Sequence, residues 1–438
     1  MSTLSQNNVL LLLIFGLLVV FPLLDLEWMF YSAAIPFSIL VLMVAKNIIN
    51  NFKGIYLVFL GYAGLIFLDI LKFRVLDARH LDEDVIFYTI YISYFSLFIF
   101  LVVYQITNIR IKVPSGQTAF IRYGLLRQAV IPLSISLAVT FASIIFFSPS
   151  LSSSPLMLLL SFLPKALMVL CFFIFLVSKR RLYLYVFGLL LVLSFAESSR
   201  RIYITLFFML LPLYMSYLHY RYGRISTLRW GALIFSFITF FFFLNFMRAE
   251  HDFGRGYLEG DKVSNTVTYI SQLKSLDTFY NTGFIIKTVP EDFDYFFGKT
   301  YAASVFMFIP RGIWADKPVS LSPTLAVMQK LGTQDFTLEK WNSINKFSLS
   351  PGFLGEAWAN FGVLGCIFVS GIFGFFTRIV DNSVKFKELI HNVNYLPFLP
   401  YYGICFLMLR GDFFSAIYFS VFFYIYLKII MRVVVRND

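Results

Sequence analysis

The sequence predicts an all-α, polytopic membrane protein of about twelve transmembrane helices with one large extracytoplasmic loop. Hydrophobic residues make up 59% of the 438 residues and charged residues only 14%, whereas soluble domains carry about 25% charged residues. Apolar stretches of about 20 residues, the length of a helix that crosses a bilayer, recur along the chain. A single soluble core could not bury so much apolar surface, which excludes soluble enzymes, disordered chains and secreted disulfide scaffolds.

The apolar stretches divide the chain into three regions. Residues 1–247 contain the first nine predicted helices, residues 248–351 form the large loop, and residues 352–438 contain the last three helices. The first stretch lacks a basic leading segment and a small-residue cleavage site, which predicts a retained helix rather than a signal peptide. The predicted spans are residues 8–24, 28–45, 54–71, 85–106, 129–149, 155–177, 182–196, 202–218, 230–247, 352–377, 394–409 and 413–431.

The basic residues predict the orientation of these spans. The chain has 36 Lys and Arg against 24 Asp and Glu, for a net charge of +12. The short loops on one side hold about threefold more Lys and Arg than those on the other, and such an excess marks the cytoplasmic side. We therefore expect cytoplasmic N- and C-termini and an outer location for residues 248–351. The basic charge is an orientation signal and does not indicate nucleic-acid binding.

Two segments of the large loop and its boundary carry distinctive residues. The apolar stretch 301–310 is too short to span a bilayer. It fits either a helix at the membrane interface, with Tyr301 and Trp314 at headgroup depth, or a core helix of a small outer domain. Further on, Glu356 and Asn360 are four residues apart and share one helix face at the outer end of the tenth predicted span. A carboxylate at that depth requires a wet cavity or a partner.

Two runs of residues in this same region carry a resemblance to a known protein family. Residues 309–318 read Ile-Pro-Arg-Gly-Ile-Trp-Ala-Asp-Lys-Pro, and residues 355–362 read Gly-Glu-Ala-Trp-Ala-Asn-Phe-Gly. With the span number and the single large outer loop, these runs make the chain resemble the Wzy-type polymerases of O-antigen and capsule repeat units. The chain also looks like the O-antigen ligases, which share that architecture and class of donor.

The resemblance implies a GT-C-like glycosyltransferase in the bacterial plasma membrane with its active site on the outer face. An undecaprenyl-diphosphate-linked glycan is the implied donor, and a sugar hydroxyl of a second lipid-linked repeat unit is the acceptor. The implied partners are membrane lipids, a chain-length regulator and a flippase, without nucleic acid. No cofactor is implied.

The chemistry of that reaction selects candidate residues. Arginine suits the leaving diphosphate because it stays charged and binds phosphate in a bidentate manner. The arginines predicted on the outer side are Arg200, Arg201, Arg248, Arg311 and Arg410. Structural roles compete with each of them: interface anchoring, or pairing with a neighbouring acid such as Glu197 or Asp412. Lys317 and Asn360 belong to the resembling runs. Lys165 lies beside Pro164 within the sixth predicted span, where it either serves the substrate or contacts carbonyls freed by the proline.

The acceptor hydroxyl needs a general base or a polarising partner. Glu356 is the first candidate, although an acid at this place also serves as the partner of an arginine or of a helix N-terminus. His251 is the second candidate, because its titration range suits proton transfer, but it lies in an acidic loop where a solvated histidine is common. A strong arginine clamp would make a base unnecessary. We predict no metal site, since the three cysteines fall in spans and paired acids are common in outer loops.

Two other functions remain open. A flippase or transporter of lipid-linked oligosaccharide would also have many spans and intramembrane charges, but transporters normally show two related halves and short loops. An O-antigen ligase would share the donor site and differ on the acceptor side.

Overall fold

The computed structural model describes residues 3–24, 28, 52–62, 81–113, 130, 132, 134, 155–194, 200–223, 239, 278–306, 309, 313, 314, 316–344, 349–411 and 413–434. These residues form helices and connecting turns without a strand, in agreement with the all-α prediction. The α-helices are α1 (Thr3–Val20), α2 (Gly54–Gly61), α3 (Glu83–Ile106), α4 (Pro155–Ser178), α5 (Arg181–Ser194), α6 (Arg200–Tyr222), α7 (Thr278–Thr288), α8 (Lys299–Val305), α9 (Leu321–Leu331), α10 (Leu338–Ser343), α11 (Gly352–Ser383), α12 (Leu399–Arg410) and α13 (Phe413–Val434). Short 3₁₀ helices cover Phe21–Leu23, Phe386–Glu388 and Val393–Phe398.

Within the described residues, two helices are long and apolar enough to cross a membrane, α3 and α11. Shorter apolar helical segments occur at Leu11–Leu23, Leu163–Ser178, Arg181–Leu191 and Ser420–Ile429. All six segments coincide with predicted spans. The second, fifth and ninth predicted spans, residues 28–45, 129–149 and 230–247, lie outside the described residues apart from isolated positions.

Helix α11 packs against α3 along a close backbone contact. A Cβ atom on Gly374 would overlap the carbonyl group of Phe100, so only glycine permits this approach. Beside that contact the rings of Phe100 and Phe373 lie 5.4 Å apart. Gly374 thus lets the backbone of α3 come close to that of α11, as small residues do where helices pack in membranes.

The tenth predicted span differs from expectation, because α11 is broken near its start. Phe361 (φ −146°, ψ 17°) and Gly362 (φ 60°, ψ −142°) are not helical. The thiol of Cys366 lies 3.7 Å from the carbonyl oxygen of Leu354, twelve residues earlier. Residues 352–360 therefore fold back against residues 363–383, and the single span predicted at 352–377 is wrong in this respect. Gly362 allows the reversal, because it occupies the left-handed region that other residues rarely adopt.

The far end of α11 holds another helix in place. The carboxylate of Asp381 accepts hydrogen bonds from the backbone N–H groups of Gly54 at 2.6 Å and Ile55 at 3.2 Å. The hydroxyl of Tyr104 on α3 donates to the same carboxylate at 3.0 Å. First-turn N–H groups of a helix have no partner within the helix and carry its positive dipole end. Asp381 thus caps α2 and ties α2, α3 and α11 together.

Loops predicted to face the same side lie at the same end of the bundle. At the Asp381 end, the ring of Phe52 lies 6.3 Å from that of Phe386, and the ring of Tyr220 lies 4.5 Å from that of His391. The connection after α3 joins this end too, since Asn382 donates to the carbonyl of Ile109. Many of the described basic residues that were predicted to be cytoplasmic lie here: Lys53, Arg110, Lys112, Lys179, Arg180, Arg181, Arg221, Arg378, Lys385 and Lys387.

At the opposite end, the described residues between 278 and 344 form a small helical lobe with a core of its own. Ile285, Val289, Leu321 and Leu325 pack together, and Ala359 of α11 joins them. The side chain of Asn281 donates to the carbonyl of Ser350 at 3.1 Å, which ties α7 to the start of α11. We call these residues the outer lobe. The predicted large loop therefore contains a folded unit docked on the first part of α11.

Candidate functional site

Glu356 lies at the end of the bundle that carries the outer lobe, and its side chain is fully buried. Its carboxylate accepts a hydrogen bond of 2.5 Å from the backbone N–H of Phe413, the first residue of α13. A carboxylate at a helix N-terminus satisfies an N–H group and meets the positive dipole end. The structure therefore gives Glu356 one of the two structural roles weighed for it, that of partner to a helix N-terminus.

Asn360 lies one turn after Glu356, on the same helix face as predicted, and is also fully buried. Its amide nitrogen donates to the backbone carbonyl of Glu356 at 2.8 Å and to the hydroxyl of Thr300 at 2.7 Å. Its side-chain oxygen accepts from the N–H of Gly298 at 2.9 Å. The helix break after Asn360 leaves the preceding backbone carbonyl groups without their usual partners in the helix. The carbonyl of Ala359 instead accepts a hydrogen bond from the backbone N–H of Phe296. Asn360 thus fastens the start of α8 to the broken helix.

Helix α8 is shorter than the apolar stretch 301–310 suggested, since it ends at Val305. Its residues Thr300, Ala303 and Ser304 are buried against the bundle. The helix docks on α11 and α13, and this brings Tyr301 to the site.

Tyr301 is the residue that the sequence interpretation missed, because it was assigned to headgroup depth. Its ring lies 4.9 Å from that of Phe413, edge to face, and 6.5 Å from that of Phe361. Burial, and secondly the negative charge of Glu356, raise the pKa of Tyr301 far above its usual value. The buried hydroxyl has no hydrogen-bond partner within the described part of the chain. Tyrosine content alone gave no signal for this role, which depends on how α8 docks.

Below these residues an apolar cavity of about 400 Å³ lies between α11, α12 and α13. Its upper wall is formed by Tyr301, Phe361 and Phe413, and its sides are largely aromatic and aliphatic. Two lining residues, Phe368 and Phe376, are 70% and 51% exposed, so the cavity opens on the outside of the bundle. Such a wall has the chemistry of a site for an apolar chain.

Three of the predicted arginines belong to helix ends near this site. Helix α6 begins at Arg200, and α12 ends at Arg410, three residues before Phe413. The helices are antiparallel: Thr205 contacts Gly403, while the far end of α6 contacts residue His391. Arg200, Arg201 and Arg410 therefore lie on helix ends at the level of Glu356. The side chains of these three arginines lie outside the described part.

The two lysines among the candidate substrate-binding residues, Lys317 and Lys165, lie in different surroundings. The ammonium group of Lys317 donates to the carbonyl of Ile309 at 2.9 Å, and its backbone N–H donates to the carbonyl of Trp314 at 3.3 Å. These bonds hold Lys317 beside Ile309 and Trp314 of the same run. Lys165 is fully buried within α4, directly after Pro164.

The remaining candidates lie outside the described residues: Arg248, His251 and Arg311. In the described ranges, no group of three or more His, Cys, Asp or Glu side chains is placed to hold a metal ion. Comparisons of the chain with protein-family models, with curated proteins and with solved structures found no match. Any function must therefore be argued from the site and from the sequence resemblance.

Proposed function

We propose that this protein is an integral membrane glycosyltransferase that joins undecaprenyl-diphosphate-linked repeat units into a surface polysaccharide, either O-antigen or capsule. The observation that carries the proposal is the open apolar cavity beneath the polar contacts of Glu356 and Asn360. A polyprenyl diphosphate has the same two parts, an apolar chain and a charged head. The cavity would hold part of the chain and the polar end of the bundle would hold the head.

The reaction follows from the two substrates. A sugar hydroxyl of the acceptor attacks the anomeric carbon of the donor glycan and loses its proton. The bond from that carbon to the diphosphate oxygen breaks, and undecaprenyl diphosphate leaves with the electron pair. Because negative charge grows on the leaving group, fixed cations beside it lower the barrier. The proposal assigns this task to Arg200, Arg201 and Arg410 on the helix ends, together with Arg248 and Arg311.

Glu356 and His251 are the proposed candidates for the base. The hydrogen bond from Phe413 to Glu356 favours a positioning role for this carboxylate, since the bond ties the carboxylate to the first residue of α13. Glu356→Gln separates the two roles, because glutamine keeps an oxygen for the N–H of Phe413 but cannot take up a proton. Retained polymer in this variant assigns the base elsewhere; lost polymer with normal protein in the membrane assigns it to Glu356.

The function is tested by deleting the gene and measuring the length of the surface glycan. A single repeat unit on the surface lipid supports the polymerase. Polymer that accumulates on undecaprenyl diphosphate indicates a ligase instead, and lipid-linked units that fail to reach the outer face indicate a flippase. Complementation then uses Arg200→Ala and Arg311→Ala, which should each abolish long chains at unchanged protein levels. Arg110→Ala, at the other end of the bundle, is the matched control and should restore full length.

The proposed location is the bacterial plasma membrane, with both termini in the cytoplasm and the site on the outer face. The basic residues predicted to be cytoplasmic and the outer lobe lie at opposite ends of the bundle, which supports this orientation. A single cysteine introduced by Ile270→Cys should react with a membrane-impermeant thiol reagent added from outside. The native Cys171, Cys366 and Cys405 are buried, so their background is low. Labelling only after access to the cytoplasm would reverse the orientation.

A further inference from the structure

Four cations meet at the end of the bundle opposite the cavity's upper wall. Helix α4 ends before Lys179, α5 begins at Arg181, and α6 ends just after Arg221. Lys179, Arg180, Arg181 and Arg221 are all exposed. We call these four residues the basic corner.

Lys179 is held in one arrangement by its backbone and its side chain. Its φ angle is 59°, in the left-handed region that glycine normally fills at a helix end. Its N–H donates to the carbonyl of Phe175 at 2.9 Å, and its ammonium group donates to that of Leu176 at 2.5 Å. The same ammonium group lies 3.4 Å from the ring centre of Tyr217 on α6. The charge is therefore fixed in position without a carboxylate.

Arg221 uses the same tyrosine. Its guanidinium donates a 2.8 Å hydrogen bond to the hydroxyl of Tyr217. Two cations thus share one neutral side chain, and the described residues place no carboxylate in an ion pair with any member of the basic corner. Like charges this close repel one another. The remaining N–H donors of Arg221 and the neighbouring Arg180 and Arg181 stay accessible to an anion.

The surface beside the basic corner is apolar. Along α5, Leu182, Tyr185 and Leu189 are 51%, 67% and 47% exposed. Their spacing of three and four residues puts them on one helix face, which starts next to Arg181. A cationic group followed along one helix by an exposed apolar face matches a molecule with an anionic head and a hydrocarbon chain.

We propose that the basic corner binds an anionic phospholipid. Its phosphate lies between Lys179 and Arg221 and accepts hydrogen bonds from both, which relieves their repulsion. One acyl chain lies along Leu182, Tyr185 and Leu189. The site is at the end predicted to face the cytoplasm, so the lipid belongs to the inner leaflet. This proposal is independent of the glycosyltransferase activity.

The test measures lipid binding to the purified full-length protein in detergent by native mass spectrometry. The probes are dioleoyl phosphatidylglycerol and dioleoyl phosphatidylcholine, which differ in net charge but not in acyl chains. The proposal expects phosphatidylglycerol to bind more tightly, and Lys179→Gln with Arg221→Gln to weaken its binding by about tenfold or more. The matched control is Lys385→Gln with Lys387→Gln at the same end, where Lys385 already pairs with Glu388 at 2.8 Å. It should bind as the wild type does.

Tyr217→Phe provides a milder variant, because it removes the acceptor of Arg221 but keeps the ring under Lys179. We expect a loss of about threefold in the affinity for phosphatidylglycerol. This variant decides the matter if the double variant does not fold. The proposal is overturned if both lipids bind equally or if millimolar inorganic phosphate displaces the lipid. It is also overturned if neither the double variant at Lys179 and Arg221 nor Tyr217→Phe weakens the binding of phosphatidylglycerol.

Discussion

Removal of the Asp381 carboxylate tests the cap on α2. Asp381→Ala leaves three buried donors without their acceptor: the N–H groups of Gly54 and Ile55 and the hydroxyl of Tyr104. Each buried donor left unpaired costs about 1–3 kcal/mol. For three donors we therefore expect the free energy of unfolding to fall by roughly 3–9 kcal/mol, and the lost charge at the helix N-terminus acts in the same direction.

A graded series sharpens this prediction. Asp381→Asn keeps one oxygen and should lose about half as much, whereas Tyr104→Phe removes one donor of three and should cost about 1 kcal/mol. Unfolding of the purified protein is followed by circular dichroism in mixed dodecyl maltoside and dodecyl sulfate micelles. In the Asp381→Ala background, Tyr104→Phe should have little further effect, since its acceptor is already gone.

The cap is refuted by either of two results. Equal losses of stability for Asp381→Ala and Tyr104→Phe would mean that the backbone donors of Gly54 and Ile55 find other partners. Full additivity of the two substitutions would mean that the two side chains act independently.

Three further predictions follow from single contacts. Gly374→Ala should lower the free energy of unfolding by about 1–3 kcal/mol through overlap with the facing helix backbone, while Gly371→Ala should change it by less than about 0.5 kcal/mol in the same assay. Asn360→Ala should release the start of α8, so limited proteolysis should cut the outer lobe faster than in the wild type. Lys287→Ala should change stability little, because the ion pair with Asp82 is exposed on both sides. The bond to Asp82 raises the pKa of Lys287, so the contribution of the ammonium group persists at neutral pH and is lost as the pH rises above the usual lysine range.

Each of these three has a clear contrary result. Equal losses at Gly374 and Gly371 would remove the case for a specific backbone contact. Unchanged cleavage of Asn360→Ala would show that the lobe is held by its apolar core alone. A large loss in the free energy of unfolding for Lys287→Ala at neutral pH would contradict the weak contribution expected of an exposed ion pair. A loss that grows as the pH falls would contradict the expected direction of the pH dependence.

The sequence pattern was sufficient for local features. The apolar run predicted a span at residues 85–106, and the helix covers Glu83–Ile106. The spacing of Glu356 and Asn360 predicted a shared helix face, and the amide of Asn360 reaches the carbonyl of Glu356. Both depend on contacts within a few residues, which periodicity describes directly.

Features set by distant contacts escaped the sequence pattern. Glycine at 362 is compatible with a continuous helix, and the break there follows from the docking of Phe296 and Gly298 onto residues 359 and 360. The role of Asp381 as the cap of α2 could not be predicted, because its partner Gly54 is 327 residues away in the sequence. Tyr301 became part of the cavity because α8 packs on α13, and no local spacing records that contact.

The cap on α2 also sets an order for biosynthesis. Asp381 is 327 residues beyond Gly54, so the ribosome delivers the acceptor long after the donors have left it. At about 5–20 residues per second, the first turn of α2 waits for roughly 15–65 s before its partner is made. During that interval water, lipid headgroups or the insertion machinery must satisfy those N–H groups. The N-terminal helices are therefore an unfinished assembly until α11 inserts, and a nascent chain stalled before residue 381 should be a ready target for membrane quality control.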